Sequence, residues 1–170
     1  MSPQPGDFRI VPVPGWGGLG IQVGQFLNGQ GWSRHDHAEI YLGDCKGEGT
    51  LWTASSYPNR SGLRAYAPVD GEIWSSGVIP LTDAQRSGII AWCMAHQHVG
   101  YSGLDYAELT LHHFGIKDPA LQRAIASSKR MICSYYVDAA YDEGGDVHLF
   151  QDGRWKGDVD PADLAALVRR

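Results

Sequence analysis

The chain is poor in lysine and carries no excess of basic charge: 14 Lys and Arg stand against 19 Asp and Glu, a formal net charge of −5. Nucleic acids and anionic membranes usually call for a basic face, so this balance argues against both partners. No apolar run is long enough to cross a bilayer, and no stable membrane insertion is expected. The N-terminal stretch lacks the charged-then-apolar form of a secretory signal. Three cysteines, Cys45, Cys93 and Cys133, make no disulfide framework, and their odd number leaves at least one free thiol. Synthesis in a reducing cytoplasm is the simplest expectation, and export by a phage, a lysis system or a larger machine would leave no such signature. Internal repeats, low-complexity tracts and linkers are missing as well. With 170 residues, 43% of them hydrophobic, residues 1–170 read as a single α+β domain able to bury a core.

Residue periodicity places the elements. Pro5-Gly6-Asp7-Phe8 opens with a turn, and Arg9–Val13 reads as a short strand that Pro12 and Pro14 push to an edge or end early. A glycine-rich loop, Gly15-Trp16-Gly17-Gly18-Leu19-Gly20, precedes a short helix over Ile21–Leu27. Ala38, Ile40 and Leu42 alternate with His37, Glu39 and Tyr41, the period-two pattern of a half-buried strand. A polar turn over Gly43–Gly49 leads to Thr50–Ser55, the expected hairpin partner, and Glu72–Ile79 is a third strand candidate. Thr82 with Gln85 forms a capping-box signal for a helix to about His98, with Ile89, Ile90, Cys93 and Met94 as its apolar stripe. Further helices are expected from Asp105 through Phe114, from Asp118-Pro119, and from near Arg130 to a C-cap at Gly144-Gly145. Asp160-Pro161 begins the last.

Two separated segments carry chemistry. Cys133 falls in the first turn of a helix, where the positive end of the helix dipole and a nearby imidazolium would favour a thiolate. It also shares a helical face with Val137 and Ala140, so it suits a buried position. His37 opens the strand on the face opposite Ala38, Ile40 and Leu42, and His35 has the same parity. A thiol at a helix N-terminus and an imidazole on a neighbouring strand are the two parts of a cysteine hydrolase. Cys45, in a polar turn, and Cys93, mid-helix, lack that placement.

The stretch from His37 to Asp44, His-Ala-Glu-Ile-Tyr-Leu-Gly-Asp, resembles the "His-x-x-Ile-Tyr-Leu-Gly" strand of circularly permuted papain-like hydrolases of the NlpC-type superfamily. Lecithin-retinol acyltransferase-like proteins and YiiX-like amidases belong to that group. Pro5-Gly6-Asp7 is similar to the start of those domains, Ile132-Cys133-Ser134-Tyr135-Tyr136-Val137 to their cysteine helix, and Pro161-Ala162-Asp163-Leu164 to a closing segment. The histidine precedes the cysteine, the reverse of the papain order. The resemblance implies an antiparallel sheet packed on a central helix that carries the cysteine. It further implies Cys133 as nucleophile, His37 as general base, and the backbone N–H of Cys133 as an oxyanion donor. The family's third polar residue lies on the next strand, where the matching position here is Thr53, a hydroxyl where Glu or His is usual. Glu39, where a small residue is common, shares a face with His37 and could orient it.

The substrate implied is a peptide amide or an acyl compound, with peptidoglycan stem peptides, isopeptides and acyl-lipids as main classes. No cofactor is expected, and the oligomeric state stays open. The Thr53 and Glu39 departures make a non-catalytic binding or structural module of the same fold the alternative, for instance in a phage particle or secretion apparatus. The glycine-rich loop formally matches G-x-G-x-x-G but lacks a βαβ context. His35 and His37 are the only histidine pair with metal-ligand spacing, so a zinc hydrolase is a third and weaker reading. His96, His98, His112 and His113 read as helix-end or surface residues, and the six tryptophans as packing.

Overall fold

Phe8 and Ile10 alternate with Arg9 and Val11, and this run forms β1 (Phe8–Val11). The computed structural model describes residues 2–12, 36–57, 60–100, 132–154 and 159–169. The readings made on Gly15–Gly20, Ile21–Leu27, His35, Asp105–Phe114, Asp118-Pro119, His112 and His113 lie outside them. β1 stops before Pro12, which has no N–H to give a ladder. It is not an edge strand, however. It pairs with β2 (His37–Gly43) on one side and with β5 (Ile73–Trp74) on the other. Pro12 falls beyond the paired residues and costs no ladder hydrogen bond, and Val13 and Pro14 lie outside the described residues.

β3 (Trp52–Ser56) runs back along β2, with Ile40 opposite Ala54 and Tyr41 opposite Thr53. β4 (Ser61–Ala65) closes that side, giving a five-stranded antiparallel sheet in the order β4-β3-β2-β1-β5. The strand expected over Glu72–Ile79 shrinks to Ile73–Trp74, because the Val78 and Ile79 N–H groups turn back to donate to the Ser75 carbonyl.

Phe8, Ile10, Ala38, Ile40, Leu42 and Ala54 share the apolar core with residues of the helices. α1 (Asp83–Ala95) starts at the foreseen capping box, Gln85 N–H donating to Thr82 Oγ1 and Thr82 N–H to Gln85 Oε1. Its buried stripe is Ile89, Trp92 and Cys93; Met94 is exposed. α2 (Cys133–Ala139) continues as a π-helical turn, Ala140–Gly144. It is buried on nearly every side, as a central helix must be. Tyr141 sets its far end: the ring meets Phe8 edge-on at 5.4 Å and the hydroxyl donates to the Gly6 carbonyl at 2.8 Å. α3 (Pro161–Val168) is capped by Asp160, and Ser134 Oγ ties α2 to the preceding residue, Val159, at 2.6 Å.

The pair Gly144-Gly145 ends the helix as expected, with Gly145 as the C-cap (φ −103°) and Asp146 next in the left-handed region (φ +52°). The pair also allows close approach. A Cβ on Gly88 would lie 1.9 Å from the Gly144 carbonyl oxygen, so only glycine lets α1 and the π turn meet here. At the other end, Gly6 (φ +93°) bends the chain so that its N–H donates to the Tyr41 carbonyl at 2.7 Å. Asp7, buried beside it, accepts from Gln4 N–H, Ser76 Oγ and Arg86 Nη1. These ties fix β1, β2 and α2 relative to one another, and the candidate site lies where they meet. Among the described residues, no helix is long and apolar enough to cross a membrane.

Candidate active site

Cys133 is the first residue of α2. Ile132 precedes it in an extended conformation (φ −89°, ψ 168°) and gives the helix no side-chain cap. The N–H groups of the first turn are therefore not satisfied by a capping side chain, and the positive end of the helix is turned to whatever lies at Cys133. His37 is the first residue of β2, with 15% of its side chain exposed, and its ring lies 5.2 Å from that of Tyr57.

Glu39 follows on the same strand face and is 7% exposed. A carboxylate this deep needs partners to stay ionised. Its Oε2 accepts from Arg9 Nε at 3.0 Å and from Arg9 Nη2 at 2.7 Å. Its Oε1 lies 3.4 Å from His37 Nε2 and accepts from the Tyr57 hydroxyl, also at 3.4 Å. The His37 contact is at ion-pair distance. Burial would raise the Glu39 pKa, but the hydrogen bond and charge of His37, and then those of Arg9, outweigh it and hold the carboxyl down at about 2.

The imidazole answers in kind. Burial would lower its pKa, yet the charge and hydrogen bonding of Cys133, followed by those of Glu39, lift it to about 9. At neutral pH the ring is an imidazolium set between the Cys133 sulfur and the ionised Glu39 carboxylate. Such a ring can take a proton from sulfur and hold it.

The ladder extends outward. Arg9 Nη1 donates to Glu72 Oε2 at 2.6 Å and to the Ala67 carbonyl at 2.8 Å, and the guanidinium carbon lies 4.7 Å from the Tyr66 ring centroid. Glu72 is held by Trp74 Nε1, the Tyr66 hydroxyl and the Val69 N–H. Charges thus alternate from Glu72 through Arg9 and Glu39 to His37, which Cys133 faces.

The structure brings Cys133, His37 and Glu39 together but not Thr53. The register sets Thr53 opposite Tyr41, four residues along β2 from His37, about 13 Å at strand rise. The Thr53 hydroxyl instead donates to the Arg64 carbonyl at 3.5 Å. The residue that faces His37 across the hairpin is Tyr57, just past β3. Cys93 is fully buried in the core, where desolvation pushes its thiol up to about 12, and Cys45 lies in the β2–β3 turn. His96 caps the end of α1 and stacks on Trp92 at 3.9 Å. Among the described residues no cluster of His, Cys, Asp and Glu could hold a metal ion.

Arg9, Tyr57 and Glu72 did not stand out in the sequence as site residues. Arg9 was findable: a lone cation amid Phe8, Ile10 and Val11 needs a buried anion opposite, and Glu39 has the right parity. Glu72 carries no such signal, because β5 is two residues long. Comparison with protein-family models finds no match, and neither curated proteins nor solved structures give a significant one.

Proposed function

We propose that the chain is a cysteine hydrolase of the permuted papain-like kind, cleaving a peptide amide through a thioester. The observation that carries this reading is the imidazole of His37 set between Cys133 and a buried, ionised Glu39. In the reaction His37 holds the proton taken from the Cys133 thiol, and the sulfur attacks the substrate carbonyl. The uncapped first turn of α2, with the Cys133 N–H foremost, faces the developing oxyanion. As the tetrahedral intermediate collapses, His37 passes its proton to the leaving amine. Water then attacks the thioester, His37 takes up its proton, and acid product and thiol are released. Glu39 keeps the ring in place and stabilises its charged form, the role that the family resemblance would give to Thr53. The same resemblance to NlpC-type enzymes points to peptidoglycan stem peptides as the first substrates to try.

The test is hydrolysis of stem peptides and simple peptide amides, with intact-mass detection of an acyl group on Cys133. Wild-type protein should turn over and Cys133→Ala should not, while His37→Ala should be nearly as inactive. Equal turnover in Cys133→Ala would sink the proposal.

One observation favours a second reading. Cys133 is only 1% exposed, as suits a packing residue, so the fold could serve as a binding or structural module without turnover. A Cys133 closed to small electrophiles would support that module.

A further inference from the structure

His37 is faced by Cys133 from α2, by Glu39 on its own strand and by Tyr57 beyond β3, with Asp36 next to it in sequence. Arg64 of β4 stacks on the Tyr57 ring at 3.6 Å. Among the described residues, Arg9 is the more distant charge that hydrogen-bonds Glu39. It uses two nitrogens on one oxygen of Glu39 and turns the third to Glu72. Oε2 of Glu39 is thereby saturated, and Oε1 is the oxygen left for the ring.

We propose that Arg9, braced by Glu72, is a positioning residue for the Cys133–His37 pair: it fixes the rotation of the Glu39 carboxylate and shares its charge. This inference rests on the cysteine-hydrolase reading and extends it to the far side of the sheet. A guanidinium suits the task because its planar fork holds two carboxylates at set angles, whereas a lysine ammonium is a point charge on a flexible stem. Burial makes the arrangement binding on all three groups. Arg9 is 4% exposed and lies against the Tyr66 and Trp74 rings, so it cannot swing to water.

Charge transmitted along the ladder has a sign, and packing does not. Arg9→Gln leaves Glu39 with its full charge for His37 and should raise the ring's titration midpoint by about one pH unit. Glu72→Gln leaves the Arg9 charge unshared and should lower that midpoint by roughly half a unit. Arg9→Lys keeps the charge without the fork; its midpoint should stay near wild type while Cys133 alkylation slows several-fold. In a Glu39→Gln background neither neutral variant should move the midpoint, because the link is gone.

The experiment follows the His37 ring by NMR across pH in the full chain, beside iodoacetamide alkylation of Cys133. Opposite shifts in Arg9→Gln and Glu72→Gln, abolished in the Glu39→Gln background, establish the inference. If Arg9→Gln does not fold, Glu72→Gln carries the test by itself, since Arg9 and Glu39 stay paired in it. An unmoved midpoint in the folded variants, with His37 still coupled to Cys133 in wild type, overturns the positioning role and spares the hydrolase reading. A wild-type His37 that titrates the same with and without Cys133 overturns both.

Discussion

Replacing Glu39 by Gln removes one charge and almost no volume from the middle of the ladder. An opposite charge within about 4–6 Å moves a pKa by roughly 1–3 units, and Glu39 Oε1 lies 3.4 Å from His37 Nε2. His37 should therefore fall from about 9 into the neutral range. Each unit is worth about 1.4 kcal/mol between the two forms of the ring. Arg9 is not orphaned, because Glu72 and the Ala67 carbonyl still hold it. The loss of stability near pH 6 should accordingly lie at or below the low end of the ~3–5 kcal/mol typical of a broken buried ion pair. Above pH 9 wild-type His37 is itself neutral, and the difference between the two proteins should shrink by the amount of the pKa change. The assay is urea unfolding of both proteins from pH 5 to 10, with the His37 midpoint read by NMR. A Gln variant with an unmoved midpoint and a pH-independent loss of stability would refute the coupling between Glu39 and the ring.

Other outcomes follow from the same geometry. The raised His37 adds stability that is complete below its unfolded pKa, near 6.5, and is lost as pH rises through about 9; the depressed Glu39 adds stability present above about 4.5 and lost as pH falls toward 2. A stability plateau between about pH 4.5 and 6.5, falling on the order of 3 kcal/mol on each side, should appear in urea melts, and His37→Ala should lose the alkaline limb. Thr53→Val should leave Cys133 alkylation unchanged and cost no more than about 1 kcal/mol, since the hydroxyl's bond to the Arg64 carbonyl is long. Gly88→Ala should destabilise by about 3 kcal/mol or more, or fail to fold, because its Cβ would overlap the Gly144 carbonyl; thermal unfolding checks this.

Elements with their own local chemistry were legible in the sequence. The alternation of Ala38, Ile40 and Leu42, the Thr82–Gln85 box and the Asp160-Pro161 start each fix an element through neighbours a few residues away. β4 was missed because Ser61-Gly62-Leu63-Arg64-Ala65 has a single large apolar residue and forms an outer strand, held by pairing to β3 rather than by pattern. The helix end at Gly144-Gly145 was legible, but its close approach to α1 was not. Gly88, whose contact with Gly144 reveals that approach, lies 56 residues earlier. At the site, Cys133 and His37 could be picked by residue type and position alone. Choosing Glu39 over Thr53 required the hairpin register, which sets Tyr57 rather than Thr53 across from His37. Arg9 and Glu72 required the order of five strands.

The decisive measurement is the rate of iodoacetamide alkylation at Cys133 between pH 6 and 8, in wild type and in His37→Ala. An isolated thiol with a pKa of about 8.5 slows roughly 75-fold over that range as its thiolate disappears. A thiolate held by the His37 imidazolium should slow less than about threefold in wild type and revert to the steep dependence in His37→Ala. A steep dependence in both proteins, or a Cys133 that does not react in the folded state, would contradict the Cys–His pair and leave a fold that binds without cutting.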